Sequence, residues 1–246
     1  MATKIGISTW AYQDLSLRDA LERIVQQSDN AEILCDAKHN LLNSKNLESL
    51  ESFDLKYTVH GLITDINIAS IHESIRTSSI DLHDQAISAS ATAGASVYVV
   101  HPGFTSWPFY RDLALQSLDK SLMELRLLQD EYGIKICVEN MPRSDWLFYP
   151  CPGLDLKGLG TALDVGHANT CGSIDSFLAE NSILHVHLHD NAGNSDDHLP
   201  LGKGNVKLQP ILEMIRTRGL SAVLENKSEA AVLESIDLLK SCHLWE

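Results

Sequence analysis

The chain has 246 residues, 44% hydrophobic and 6% aromatic, and 19 Lys plus Arg face 33 Asp plus Glu for a formal net charge of -14. That apolar fraction excludes a disordered chain, the length suits two small domains or one α/β barrel of ~250 residues, and the acidic balance opposes tight non-specific binding to nucleic acid. The five cysteines lack CxxC spacing and read as free thiols, and no apolar leader or spanning run is evident, so a cytoplasmic protein with no membrane association is expected.

Runs rich in Val and Ile, or alternating with period two, predict eight strands at 4–10, 31–36, 56–61, 97–103, 135–142, 160–168, 183–191 and 222–226. Helical periodicity runs over 16–28, 109–133, 208–219 and 228–241. Strand and helix alternate without a Pro/Gly/Ser linker. The pattern predicts one α/β domain over 1–246, a single parallel (β/α)8 TIM barrel. A doubly wound nucleotide-binding sheet fits less well. The first strand runs into Trp10, Ala11 and Tyr12, no Gly-rich phosphate turn occurs, and LGKG at 201–204 is too short to be one.

Side chains able to bind metal collect at the predicted strand ends: His60, His101, Glu139, Asp164, His167, His187 and Glu225, with Asp196 and His198 in the loop after the seventh strand. In a barrel those ends share one mouth, where active sites of this architecture are built. Nine such groups would repel and lose solvation without a balancing cation, so a divalent metal is expected. A lone His60 or His101 is more often a hydrogen-bonded imidazole. Glu139 in ICVENM, Glu225 in AVLEN and Asp164 in ALDVGH instead interrupt apolar strands, where an unpaired charge is costly.

In HVHLHDN the period of two puts His185, His187 and His189 on one face of a strand, towards the lumen. His185, the deepest, is expected to be a packed, hydrogen-bonded ring, and His189 to reach substrate. His39, His72, His83 and His243 have no partners nearby in sequence and are expected on the surface.

VHG at 59–61, VHPG at 100–103, VENMP at 138–142, LDVGHA at 163–168, HLHDN at 187–191 and DHLPLGKG at 197–204, in this order, resemble the xylose isomerase-like TIM barrel superfamily. That group includes sugar and sugar-phosphate isomerases and epimerases, and endonuclease IV. The resemblance implies a shared single-metal site at Glu139, Asp164, His187 and Glu225. In endonuclease IV the site is enlarged to three zinc ions, and the additional ligands correspond to His60, His101, His167, Asp196 and His198. Where that enzyme has SYLIN, DTCH and NDSK, this chain reads GLITDIN, with an inserted Asp65, then DVGH and HDNA. HxHDN followed by HLPLGKG looks more like the sugar-isomerase branch.

The expected function is therefore a metal-dependent sugar or sugar-phosphate isomerase or epimerase. In it, a metal-stabilised enediolate forms between Glu139 and Glu225 as acid and base. His167 and His189 would hold substrate, and Trp10, Phe104 and Trp107 would wall it. The alternative is a zinc phosphodiesterase cleaving DNA at abasic sites with a trinuclear cluster, and a third class is a metal-binding barrel without activity. Three His-rich sites would suit Zn, whereas one carboxylate-rich site would accept Mn, Mg or Co. The substrate and the oligomeric state are not legible in the sequence.

Overall fold

The computed structural model describes residues 5–242. Eight strands, β1 (Ile5–Ser8), β2 (Asn30–Leu34), β3 (Lys56–His60), β4 (Val97–Val100), β5 (Lys135–Glu139), β6 (Gly160–Asp164), β7 (Ile183–Leu188) and β8 (Ser221–Leu224), pair in chain order. All pairs are parallel, and β1 closes on β8 through Ile5 with Ala222 and Ile7 with Leu224. The strands are buried along nearly their whole length, as a parallel barrel sheathed in helices requires, so they read as near-continuous apolar runs.

The helices are α1 (Leu17–Ile24), α2 (Ser44–Leu50), α3 (Glu73–Thr92), α4 (Arg111–Tyr132), α5 (Val165–Cys171), α6 (Ile174–Leu178), α7 (Leu208–Arg218) and α8 (Glu229–Ser241). Local chemistry sets their ends. Ser16 and Ser228 cap α1 and α8 by accepting from the backbone N–H of Asp19 and Ala231. α4 stops at Gly133, whose φ of 67° suits a residue without Cβ. The main apolar core lies between sheet and helices and includes Leu17, Leu21, Ile33, Ile87, Leu118, Phe177 and Ile236.

All eight strands fall where the sequence predicts them, but they stop earlier, and six of them, β3 to β8, end on or next to a polar side chain of the mouth. The alternation of strand and helix has one exception: among the described residues the connection 140–159 between β5 and β6 contains no helix. α3, the longest helix without a sequence prediction, is sheltered by polar contacts. Its buried Arg76 bonds Glu73, Glu124 and Ser121, which ties it to α4. No helix among the described residues is long and apolar enough to cross a membrane.

Candidate active site

Strand ends deliver the polar side chains to one mouth. β3, β5 and β6 terminate on His60, Glu139 and Asp164, β7 carries His187 next to its last residue, and His101 and Glu225 directly follow β4 and β8. Asp164 also caps α5, its carboxylate accepting from the backbone N–H of His167 at 2.6 Å, so the caps of sheet and helix fix both residues together. Asp196 and His198 arrive on the loop after β7. A cavity of about 260 Å³ opens there, with Trp10, Leu34, Ile63, Met141 and Pro142 as apolar wall. His60, His101, Glu139, His167, Asp196, His198 and Glu225 form its polar floor and side.

The floor is a contiguous network. Glu139 Oε2 lies 3.2 Å from His60 Nε2 and 2.8 Å from His101 Nε2, while its Oε1 lies 2.9 Å from His187 Nδ1. His187 Nδ1 is also 3.4 Å from Glu225 Oε2. Beside this group, Asp196 Oδ2 bridges His167 Nε2 at 3.2 Å and His198 Nε2 at 3.0 Å. His189 Nε2 faces both oxygens of Asp164 at 2.9 and 3.0 Å, and its ring stacks on His198 with centroids 3.7 Å apart.

The donor set fits divalent cations. One potential ligand atom from each of Glu139, Asp164, His187 and Glu225 lies within 4.8 Å of the others, and so do those of His60, Glu139 and His187, and of His167, His189, Asp196 and His198. Ring orientation supports the same reading. His60 donates its Nδ1–H to Gly61 O at 3.0 Å, His167 to Asn140 O at 2.8 Å and His198 to Glu225 O at 2.8 Å. Each of these three rings therefore turns a lone-pair nitrogen, Nε2, towards the carboxylates, as an imidazole ligand must.

Without a cation, charge is balanced between imidazoles and carboxylates. Burial opposes ionisation of Glu139, but His187 and His101 outweigh it and hold the carboxyl well below its usual range. Asp164 is held at about 2, against burial, by His167 and His189. Glu225 goes the other way: burial and the nearby Glu139 push it up, and His187 offsets this only in part. His187 and His167 are raised well above the usual value despite burial, the first by Glu32, Glu225 and Glu139, the second chiefly by Asp164 and Asp196. His60, also against burial, is raised to about 9 by its bond to Glu139.

All nine candidate ligands thus share one network, and Trp10 packs edge-on to His198 with centroids 4.5 Å apart. Phe104 lines an adjoining apolar cavity of about 180 Å³ that shares His101. Trp107 does not reach the site: it is 64% exposed and stands against Tyr110 instead. His185 is packed and bonded to Ser221 and Glu32, at 2.9 Å in each case. His39 and His83 are buried rather than superficial, the one facing Leu15 O at 3.3 Å and the other Tyr98 Oη at 2.8 Å. Their partners are distant in sequence, so no local pattern announces them. His72 is exposed, and His243 lies outside the described residues.

Sequence reasoning missed Glu32, fully buried on β2 beneath His187. The signal was available, since an acid inside AEILC interrupts an apolar strand just as Glu139 does.

The family described as "Xylose isomerase-like TIM barrel" matches residues 15–242. An uncharacterised protein of Methanocaldococcus jannaschii, MJ1614, is 34% identical over 242 residues, covering 96% of each chain. The crystal structure of a D-tagatose 3-epimerase-like protein superposes with a TM-score of 0.87 at 30% identity over 97% of this chain and 96% of that one. That of the IolI protein with a zinc atom shares the fold at 18% identity, with a TM-score of 0.77 and 99% of each chain covered. With its barrel closed in chain order and the family match running over nearly all of it, this chain belongs to the xylose isomerase-like TIM-barrel family.

Proposed function

We propose that the protein is a divalent-metal-dependent isomerase or epimerase of a small sugar. The observation that carries this reading is the group Glu139, Asp164, His187 and Glu225, whose potential ligand atoms lie within 4.8 Å of one another at the base of a small cavity. The likeness to a D-tagatose 3-epimerase-like protein supports the substrate class.

Those four residues would hold the cation, with Zn, Mn, Mg and Co all compatible with three carboxylates and one imidazole. The chemistry it supplies when bound is to polarise a carbonyl and acidify the adjoining C–H. Glu139 and Glu225, both carboxylates of the floor, take and return that proton at their carboxylate oxygens. His167 and the other polar groups that line the cavity orient hydroxyls, whereas His189, expected to reach substrate, is fully buried against Asp164 and His198 and does not line it. Trp10, Leu34, Ile63, Met141 and Pro142 pack on the C–H faces and limit water, which would otherwise quench the carbanionic species. Among the described residues no Lys or Arg lines the cavity, and Lys227, which stands over Trp10, is bonded to Asp196 O, which favours an uncharged sugar over a sugar phosphate.

The test is incubation with a panel of ketoses, aldoses and their phosphates in deuterated water, with Mn, Co or Zn or with a chelator. Proton NMR should show metal-dependent deuterium exchange at the carbon next to a carbonyl. Absence of exchange with every sugar would overturn the proposal.

A second reading rests on a separate observation, the two further ligand groups around His60 and around Asp196. Filled together with the first, they would make a three-cation centre suited to phosphodiester cleavage, with DNA as partner. About three cations per chain and incision of abasic-site DNA would favour it; one cation per chain favours the sugar reading.

A further inference from the structure

Four imidazoles in the floor turn a nitrogen towards the carboxylates and have a defined group behind them, but the groups differ. Behind His60, His167 and His198 stands a backbone carbonyl. Behind His187 stands Glu32. Its Oε1 is 3.2 Å from His187 Nε2, while His187 Nδ1 points the opposite way to Glu139 and Glu225. Glu32 is itself held: Oε2 accepts from Thr58 Oγ1 at 3.0 Å and pairs with His185 Nε2 at 2.9 Å, and His185 is anchored on Ser221. Glu32 Oε1 and His187 Nε2 are not aligned for a hydrogen bond, yet neither has another hydrogen-bond partner among the described residues. Both residues are fully buried, so each atom is the other's outlet from an otherwise costly burial.

We infer that Glu32 is a positioning residue for the cation site, orienting His187 through Nε2 and raising the basicity of its Nδ1. This rests on the reading of Glu139, Asp164, His187 and Glu225 as the metal set. A carboxylate behind an imidazole fixes the tautomer and makes the ring a stronger donor than a carbonyl does, and such outer partners are worth 10- to 100-fold in metal affinity. The anchoring has a purpose on this view. With Oε2 occupied by Thr58 and His185, the carboxylate can turn only Oε1 to His187. The apolar β2 tolerates an acid because it serves a ring on the far side of the lumen.

The experiment measures zinc affinity by chelator competition, and the visible spectrum of the cobalt-substituted protein, for wild type, Glu32→Gln and Thr58→Val. Glu32→Gln keeps the volume but replaces the anionic acceptor. Thr58→Val keeps the carboxylate and frees one of its anchors, and it serves if Glu32→Gln does not fold. The expected result is a loss of affinity of about 10- to 100-fold for Glu32→Gln and a smaller loss for Thr58→Val. The cobalt spectrum should shift in Glu32→Gln, a change that a merely structural role would not produce. Wild-type affinity and spectrum in both variants would overturn the inference alone. A wild-type chain that takes up no cation would overturn the reading of the metal set and this inference with it.

Discussion

The ring of His189 fills the space that a side chain at position 166 would need: a Cβ added to Gly166 would run into Cε1, Nδ1 and Nε2 of the imidazole. The same ring spans both oxygens of Asp164 and stacks on His198, so its position links two parts of the site. Gly166→Ala should therefore cost about 1–3 kcal/mol through overpacking and weaken cation uptake. Adding His189→Ala should return part of the stability, because it clears the overlap. A thermal double-mutant cycle measures the coupling, and strictly additive effects would show that the two residues do not constrain each other.

The pH dependence of the metal-free chain follows from the imidazoles. His60, raised to about 9, and His187, His167 and His198, also raised, contribute stability that is complete below the unfolded value near 6.5 and lost as pH rises through their folded values. Glu139 and Asp164, lowered, contribute stability that is complete above the ordinary carboxylate range and lost as pH falls through theirs. The thermal midpoint of chelator-treated protein should fall between pH 6.5 and about 9. The gain from added zinc should grow over the same window, because the cation replaces protons on the rings. A metal-free midpoint that climbs across it would contradict the assignment.

Glu139 and Glu225 should behave differently when changed to Gln. Turnover should fall about 100-fold or more in each if both transfer protons. Two carboxylates in one pocket would suggest that either change spares the metal-free fold, but Glu139 alone bonds His60, His101 and His187. Glu139→Gln leaves the buried cationic rings of His60 and His187 without their shared carboxylate and should cost about 3 kcal/mol or more. Glu225→Gln, at a carboxyl already pushed towards its neutral form, should hold or raise the midpoint. Equal midpoints for the two variants would show that this asymmetry is not felt.

His83 Nδ1 and Tyr98 Oη share a hydrogen bond inside the α3–β4 interface, and burial lowers the pKa of His83 to about 3, so it stays neutral there. His83→Leu should cost about 1–3 kcal/mol by leaving the buried Tyr98 hydroxyl without that partner. Cation stoichiometry should stay unchanged. Metal analysis beside a denaturation curve separates the two effects.

The eight strands were legible because each is an apolar, β-branched run buried on both faces, and the candidate ligands because they break such runs at one end. α3 was not, because its sheltered face carries Arg76, Ser79, His83 and Ser90 beside Ile80 and Ile87, so no apolar stripe marks it. Glu32 escaped for a different reason. It sits in the middle of β2 rather than at the strand's end, where the other candidate ligands collect, and its partners His185 and His187 are over 150 residues away. Trp107 misled because an aromatic after a strand has the same local appearance whether it turns inward or out.

Three ring orientations in the site depend on main-chain oxygens at 61, 140 and 225, the positions that directly follow β3, β5 and β8. The side chains at those positions have no part in the aiming. His60 is aimed by its own neighbour, but His167 and His198, which follow β6 and β7, take their acceptor from the end of the adjacent strand, β5 and β8, so a slip in the register of either pair would move the carbonyl away from the ring. A cation that needs several rings aimed together binds only chains whose strands are correctly aligned, and by mass action it enriches them over misaligned ones. The metal would then act during folding as a selector of register, before any substrate is met.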